Sequence, residues 1–198
     1  MPDDSTARMC SLKPLEYCRE RSNHGRAVEI GTYYAGWTAW LSQNYHEVIS
    51  LQTPNSKKLN HVEDTDQGEF SEGNLPWKTV MRERLPNEYH GLYDFNFLAQ
   101  RVSELPNVAC MLCESPPAIS WTWGFDLCTI DMSRDPEENL KQYRYWSNWG
   151  NKSAIMLIGI YRPRDYDRFN ITVDDLLGSI EHQWEFLPFD NRYIMVRL

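Results

Sequence analysis

The stretch Val28-Glu29-Ile30-Gly31-Thr32-Tyr33-Tyr34-Ala35-Gly36-Trp37-Thr38 puts a carboxylate, two glycines and a helix-compatible run next to one another. Glycine suits a tight turn because it accepts positive φ and carries no Cβ to hold a ligand away from the backbone. A helix opening at Gly36 would aim unpaired N–H groups back toward that turn. In a doubly wound sheet this is where a nucleotide sits, beyond the carboxyl end of a strand. Further carboxylates follow apolar runs in the same way, Glu114 after Val108–Cys113 and Asp131 after Phe125–Ile130. Taken alone, these residues fit an ordinary tight turn and a buried acid held by backbone amides just as well. Asp131 and Asp135 are equally suited to capping the helix that follows.

The elements that must position these groups come from the hydrophobic pattern. Six short apolar runs predict strands: Ala27–Ile30, Glu47–Leu51, Val108–Cys113, Phe125–Ile130, Ala154–Ile160 and Tyr193–Val196. Helical spacing falls between them, at Gly36–Gln43, Tyr93–Leu105, Pro136–Trp146 and Thr172–Trp184. Pro136 suits a first helical position, with Asp135 as N-cap and Glu137 and Glu138 in the first turn. Strands alternating with helices predict an α/β fold, a doubly wound, mostly parallel sheet flanked by helices in a single domain over 1–198. Residues 1–25 form a helical or irregular lead-in. Residues 53–92, rich in polar residues with Gly68, Gly73, Pro76 and Pro86, read as a long insertion or lid, with a short helix over Trp77–Arg84.

The balance of 28 acidic against 20 basic residues, net −8, disfavours nucleic acid as a substrate, because phosphate-backbone attraction needs positive charge. Arg134, Arg144, Arg162, Arg164 and Arg168 crowd one region, and a solvated, salt-bridged face is the default reading for them. No apolar run is long enough to span a membrane and no signal-peptide pattern opens the chain, so a cytoplasmic protein is expected. Five cysteines, an odd number, fit reduced thiols. Cys110-x-x-Cys113 lacks a second ligand pair and lies in an apolar run, where cysteine acts as a small hydrophobe, so no metal is expected there. The five histidines have no partner at catalytic spacing. The oligomeric state stays open, a homo-oligomer included.

From Glu29-Ile30-Gly31-Thr32 to the Ala35-Gly36 pair, the sequence resembles the first motif of class I S-adenosylmethionine (SAM) methyltransferases, notably the cephalosporin-hydroxylase-like and catechol-type O-methyltransferase-like groups. Val48–Leu51 is similar to their second strand, Cys113-Glu114-Ser115 to the Gly-Asp-Ser after the third, and Phe125–Asp131 to the fourth. Thr172–Leu198 resembles their final helix and strand. The resemblance covers residues 26–53 and 107–198. It implies SAM as cofactor, with Gly31, Thr32, Tyr33 and Gly36 around its methionine part and Glu29 supporting the loop or the amino group. Glu114 and Ser115 would lie near the adenine, Gln52 near the ribose, and Asp131 at the mouth of the site.

Three departures accompany the resemblance. Gln52 stands where these families place an acid on the ribose hydroxyls, and an amide makes a weaker hydrogen bond than a carboxylate. Ile130-Asp131-Met132-Ser133-Arg134 and Gly159-Ile160-Tyr161-Arg162 lack two oxygen ligands found in metal-dependent members, which argues against bound Mg²⁺. The expected activity is methyl transfer from SAM to oxygen or nitrogen of a small-molecule acceptor without a metal. Alignment supplies much of such a rate. Where the acceptor needs a base, Asp131, Tyr161 and Asp135 are the candidates in that order. The alternative is a non-catalytic protein that keeps the fold as a binding or assembly module.

Overall fold

A computed structural model of the chain describes residues 12–31, 36–52, 105–112, 115–117, 122–131, 135–160 and 171–198. The elements run α1 (Lys13–Arg19), β1 (Arg26–Ile30), α2 (Gly36–Asn44), β2 (Glu47–Gln52), β3 (Val108–Leu112), β4 (Phe125–Ile130), α3 (Pro136–Trp146), a 3₁₀ turn (Ser147–Trp149), β5 (Gly150–Gly159), α4 (Val173–Gly178), β6 (Gln183–Leu187) and β7 (Asp190–Arg197). The strands form one sheet in the order β3-β2-β1-β4-β5-β7-β6. β1, β2, β3, β4 and β5 pair in parallel, and β7 runs antiparallel to both β5 and β6. The doubly wound α/β architecture expected from the sequence is the one observed.

Two apolar layers flank the sheet. On one face Ala27, Val48, Leu127, Ile155, Leu157 and Met195 pack with Leu15 and Cys18 of α1 and Leu41 of α2. On the other, Val28, Ile30, Cys128, Ile130, Met156, Ile158 and Ile194 pack with Leu140, Tyr143 and Trp146 of α3 and Leu176 of α4. The central strand β4, Phe-Asp-Leu-Cys-Thr-Ile, is buried at every position, as a parallel strand covered on both faces should be.

Local signals set the helix limits. Asp135 caps α3, its side chain accepting the Glu137 N–H at 2.9 Å, with Pro136 in the first turn and both glutamates beside the positive helix end. The predicted bounds of this helix are those observed. α4 opens with a capping box in which Thr172 and Asp175 satisfy each other's backbone N–H groups.

That helix is shorter than the predicted Thr172–Trp184, and this is a correction. It stops at Gly178, and Gln183–Leu187 becomes β6, a strand at the sheet edge that the six-strand prediction lacks. Trp184 follows the helical spacing of the preceding apolar residues, but tertiary pairing with β7 prevails. β5 and β7 also begin earlier than predicted, and the lead-in contains the helix α1, whose Leu15 and Cys18 are buried one turn apart. The expected lid, the helices over Trp77–Arg84 and through 93–104, and most of the arginine cluster lie outside the described residues.

Candidate functional site

β1 ends at Ile30, and Gly31 follows with φ 97°, the left-handed conformation that non-glycine residues rarely take. Its N–H donates to the Leu51 carbonyl at 2.8 Å, which ties the turn to β2. α2 begins at Gly36. Gly31 thus supplies a positive-φ position at the carboxyl end of a central parallel strand, and residues 32–35 of the expected turn lie outside the described residues.

Glu29 lies just beneath this turn, only 2% exposed. Strand register places it between Ser50 on β2 and Thr129 on β4. The Ser50 hydroxyl and the Thr38 hydroxyl of α2 both donate to its Oε2, each at 2.5 Å. Burial raises the Glu29 carboxyl from 4.5 to about 7, the hydroxyl donors oppose this, and the negative charge of Asp131 adds to it. Among the described residues no Lys, Arg or His forms an ion pair with Glu29. Among the described residues it is a buried acid without a countercharge, supported by two hydroxyls.

Asp131 follows β4, its N–H donating to the Ile30 carbonyl at 3.3 Å, which puts it at the same sheet edge as Gly31. The Tyr193 hydroxyl of β7 donates to Asp131 Oδ2 at 3.1 Å. Tyr193 is itself buried and packs against Trp37 of α2, ring centroids 5.9 Å apart. Glu29, Gly31 and Asp131 are thus brought together, with Trp37, Thr38, Ser50 and Tyr193 around them.

Those four supporting residues were not among the sequence candidates. Trp37 and Thr38 lie in the stretch that carries the glycines, and Ser50 is a hydroxyl inside the apolar run Val48–Leu51, but their closeness to Glu29 and Asp131 depends on strand register and helix packing. Tyr193 reaches the site only because β7 enters the sheet antiparallel, bringing its first turn of residues to the carboxyl ends of the others.

The other candidates are placed as follows. Gly36 is the first residue of α2, and Gln52 is the last of β2, paired with Leu112 of β3. Ser115 is buried, its hydroxyl donating to Gln142 Oε1 at 2.6 Å and accepting from Trp146 Nε1 at 3.2 Å, so its polar atom is committed to α3. Asp135 serves as the α3 N-cap. Thr32, Tyr33, Glu114 and Tyr161 lie outside the described residues. Among the described residues no group of three or more His, Cys, Asp or Glu could hold a metal ion, and no helix is long and apolar enough to cross a membrane.

Two surface grooves lie away from this edge. The larger, about 570 Å³, is lined by Tyr143, Arg144, Ser147, Glu181 and His182. It sits where α3 ends and β6 begins, at the amino ends of the parallel strands, the opposite side of the sheet from where doubly wound folds bind ligands.

Strand order, the antiparallel β7 and the glycine turn after β1 together define the class I SAM-dependent methyltransferase fold. Solved structures of that class superpose on the chain. The N-methyltransferase NodS from Bradyrhizobium japonicum matches with a TM-score of 0.56 at 12% identity, covering 100% of this chain and 97% of its own. The O-methyltransferase TomG from Streptomyces achromogenes, solved in complex with SAM, gives 0.51 at 11% identity, with 97% and 79% covered. An rRNA methylase from Streptococcus thermophilus gives 0.52 at 9% identity, with 92% and 90% covered. No protein-family model matches the sequence, and no curated protein is similar to it in sequence. An N-methyltransferase, an O-methyltransferase and an rRNA methylase among the neighbours establish the fold and leave the acceptor open.

Proposed function

We infer that the chain is a SAM-dependent methyltransferase acting on oxygen or nitrogen of a small-molecule acceptor without a metal. The observation that carries this reading is the Glu29–Gly31–Asp131 edge. A positive-φ glycine allows close approach to the backbone, with one carboxyl below it and one beside it. SAM fits such a donor set, because its sulfonium and ammonium are cationic and suit two carboxyl groups at one sheet edge.

When bound, SAM supplies an electrophilic methyl group on a positively charged sulfur. The protein's part is to hold and align. Gly31 opens space for the methionine portion, and the α2 N-terminus lies next to it. Asp131, steadied by the Tyr193 hydroxyl, presents a carboxylate at the mouth, where it can orient the acceptor or take its proton. The Trp37–Tyr193 pair gives that mouth an aromatic wall suited to excluding water. The net charge of −8 supports a small-molecule acceptor over nucleic acid, and the cytoplasm is the proposed location.

A second reading, a non-catalytic binding or assembly module on the same fold, is favoured by Gln52 in the place of a ribose-gripping acid. Calorimetric titration with SAM and with S-adenosylhomocysteine (SAH), repeated on Gly31→Trp, tests the proposal. Saturable heat with the wild type and none with the variant supports it. No heat with either ligand at millimolar concentration removes it and leaves the module.

A further inference from the structure

The strand β6 ends the sheet, so one side of its backbone has no strand partner among the described residues. Native sheets guard such an edge with Lys, Pro, charge or cover, because its unpaired N–H and C=O groups are a template for another strand. Gln183-Trp184-Glu185-Phe186-Leu187 holds neither Lys nor Pro, and Gln183, Trp184 and Glu185 are exposed. Its one charge, Glu185, is answered by Arg197 of β7, whose Nη2 donates to Glu185 Oε1 at 3.1 Å. The register shift against β7 comes after Phe186, so the first four residues form a regular ladder.

The two faces of this strand differ. Trp184 and Phe186 register with Val196 and Ile194, in the layer under α3 and α4, and their rings meet edge to face with centroids 5.5 Å apart. Gln183 and Glu185 register with Arg197 and Met195 on the opposite face. Gln183, Trp184, Glu185 and Arg197 also line the smaller surface groove, about 270 Å³. An apolar ring on one face and a polar row on the other are thus both open to solvent, Trp184 being 36% exposed.

We propose that β6 is a self-association edge, pairing antiparallel with β6 of a second copy about a two-fold axis at Trp184. In that register Trp184 meets Trp184 of the second copy on one face. On the other, Glu185 lies opposite Gln183 of the second copy, with that copy's Arg197 one strand behind it. The acid thus faces an amide donor and a base. Shifting the centre to Gln183 would oppose Glu185 to Glu181, and shifting it to Glu185 would oppose that acid to itself, and like charges directly opposite are destabilising. The axis stands perpendicular to the sheet, so the carboxyl edges of the two copies point in opposite directions and neither Gly31 turn lies in the interface. The pairing is therefore independent of the methyltransferase reading.

Each chain carries a net charge of −8, which opposes association. At about 0.15 M salt that repulsion is screened beyond about 8 Å, whereas the edge contacts are shorter than this. Sedimentation velocity of the full chain at that ionic strength, across roughly a hundredfold range of concentration, is the test. The mass should rise with concentration from one chain to two. Trp184→Ser and Glu185→Arg, each changing a side chain exposed in the single chain, should each weaken association at least about tenfold. Glu185→Arg combined with Arg197→Glu should restore it to within about threefold, because reversing both charges re-creates both contacts. A wild type that stays a single chain at every concentration overturns the proposal, as does a dimer that survives both single variants. A reversed pair that keeps the wild-type urea midpoint but does not regain association overturns the register at Trp184.

Discussion

Replacing Glu29 by Gln in the ligand-free protein isolates the energetic consequence of burying this acid. The carboxyl is raised from 4.5 to about 7 chiefly by desolvation. Moving one proton equilibrium that far is worth about 3 kcal/mol. The sign follows from the direction. Below pH 4.5 the group is neutral in both folded and unfolded chains and imposes no ionisation penalty; as pH rises toward 7 the unfolded chain ionises while the folded chain does not, so stability is lost. Above about 7 both forms are ionised and the loss is complete. Glutamine stays neutral throughout, and its carbonyl oxygen can still accept from Thr38 and Ser50. Urea unfolding of wild type and Glu29→Gln between pH 5 and pH 8 should show the stability difference shift by about 2.5 kcal/mol in favour of the glutamine variant as pH rises. A difference constant to within about 0.5 kcal/mol over that range would refute the claim that Glu29 is buried without a countercharge.

Other outcomes follow from the same contacts. Gly31→Ala forces a Cβ into a backbone with φ 97° and should cost about 1–2 kcal/mol in thermal or urea unfolding while weakening SAM binding; an unchanged midpoint would show that the turn adopts another conformation. Thr129→Val removes a fully buried hydroxyl that has no hydrogen-bond partner among the described residues and should stabilise by about 1 kcal/mol, whereas clear destabilisation would mean that the hydroxyl is satisfied. Asp135→Ala should cost about 1 kcal/mol through loss of the α3 cap, and Asp135→Ser should recover it with full methyl transfer, an outcome that a catalytic Asp135 would not allow. Gln142→Leu strips both Ser115 and Trp146 of a buried partner and should cost about 2 kcal/mol, read by the shift in urea midpoint; a smaller change than the Asp135 cap would contradict the role given to this cluster.

What was legible in the sequence was local. The limits of α3 follow from Asp135, Pro136 and two glutamates within one turn, and the glycine turn follows from a pair of residues whose conformational freedom is rare. The central strands were legible because burial on both faces leaves an unbroken apolar run. β6 was hidden because Gln-Trp-Glu-Phe-Leu lies at a sheet edge, largely exposed, so its only regularity is one that a helix shares. The support of the site was hidden for a different reason. Ser50 reaches Glu29 across twenty-one positions and Tyr193 reaches Asp131 across sixty-two, distances closed by sheet register and by the reversal of β7. No spacing along the chain encodes those contacts.

The methyltransferase account stands or falls on where SAM binds. A crystal structure of the chain grown with saturating SAM tests this most directly. The account predicts the methionine portion against the Gly31 turn above Glu29, with the sulfonium on the Asp131 side. SAM found in the groove beside Tyr143 and His182, or an empty β1 edge at saturating ligand, would contradict it.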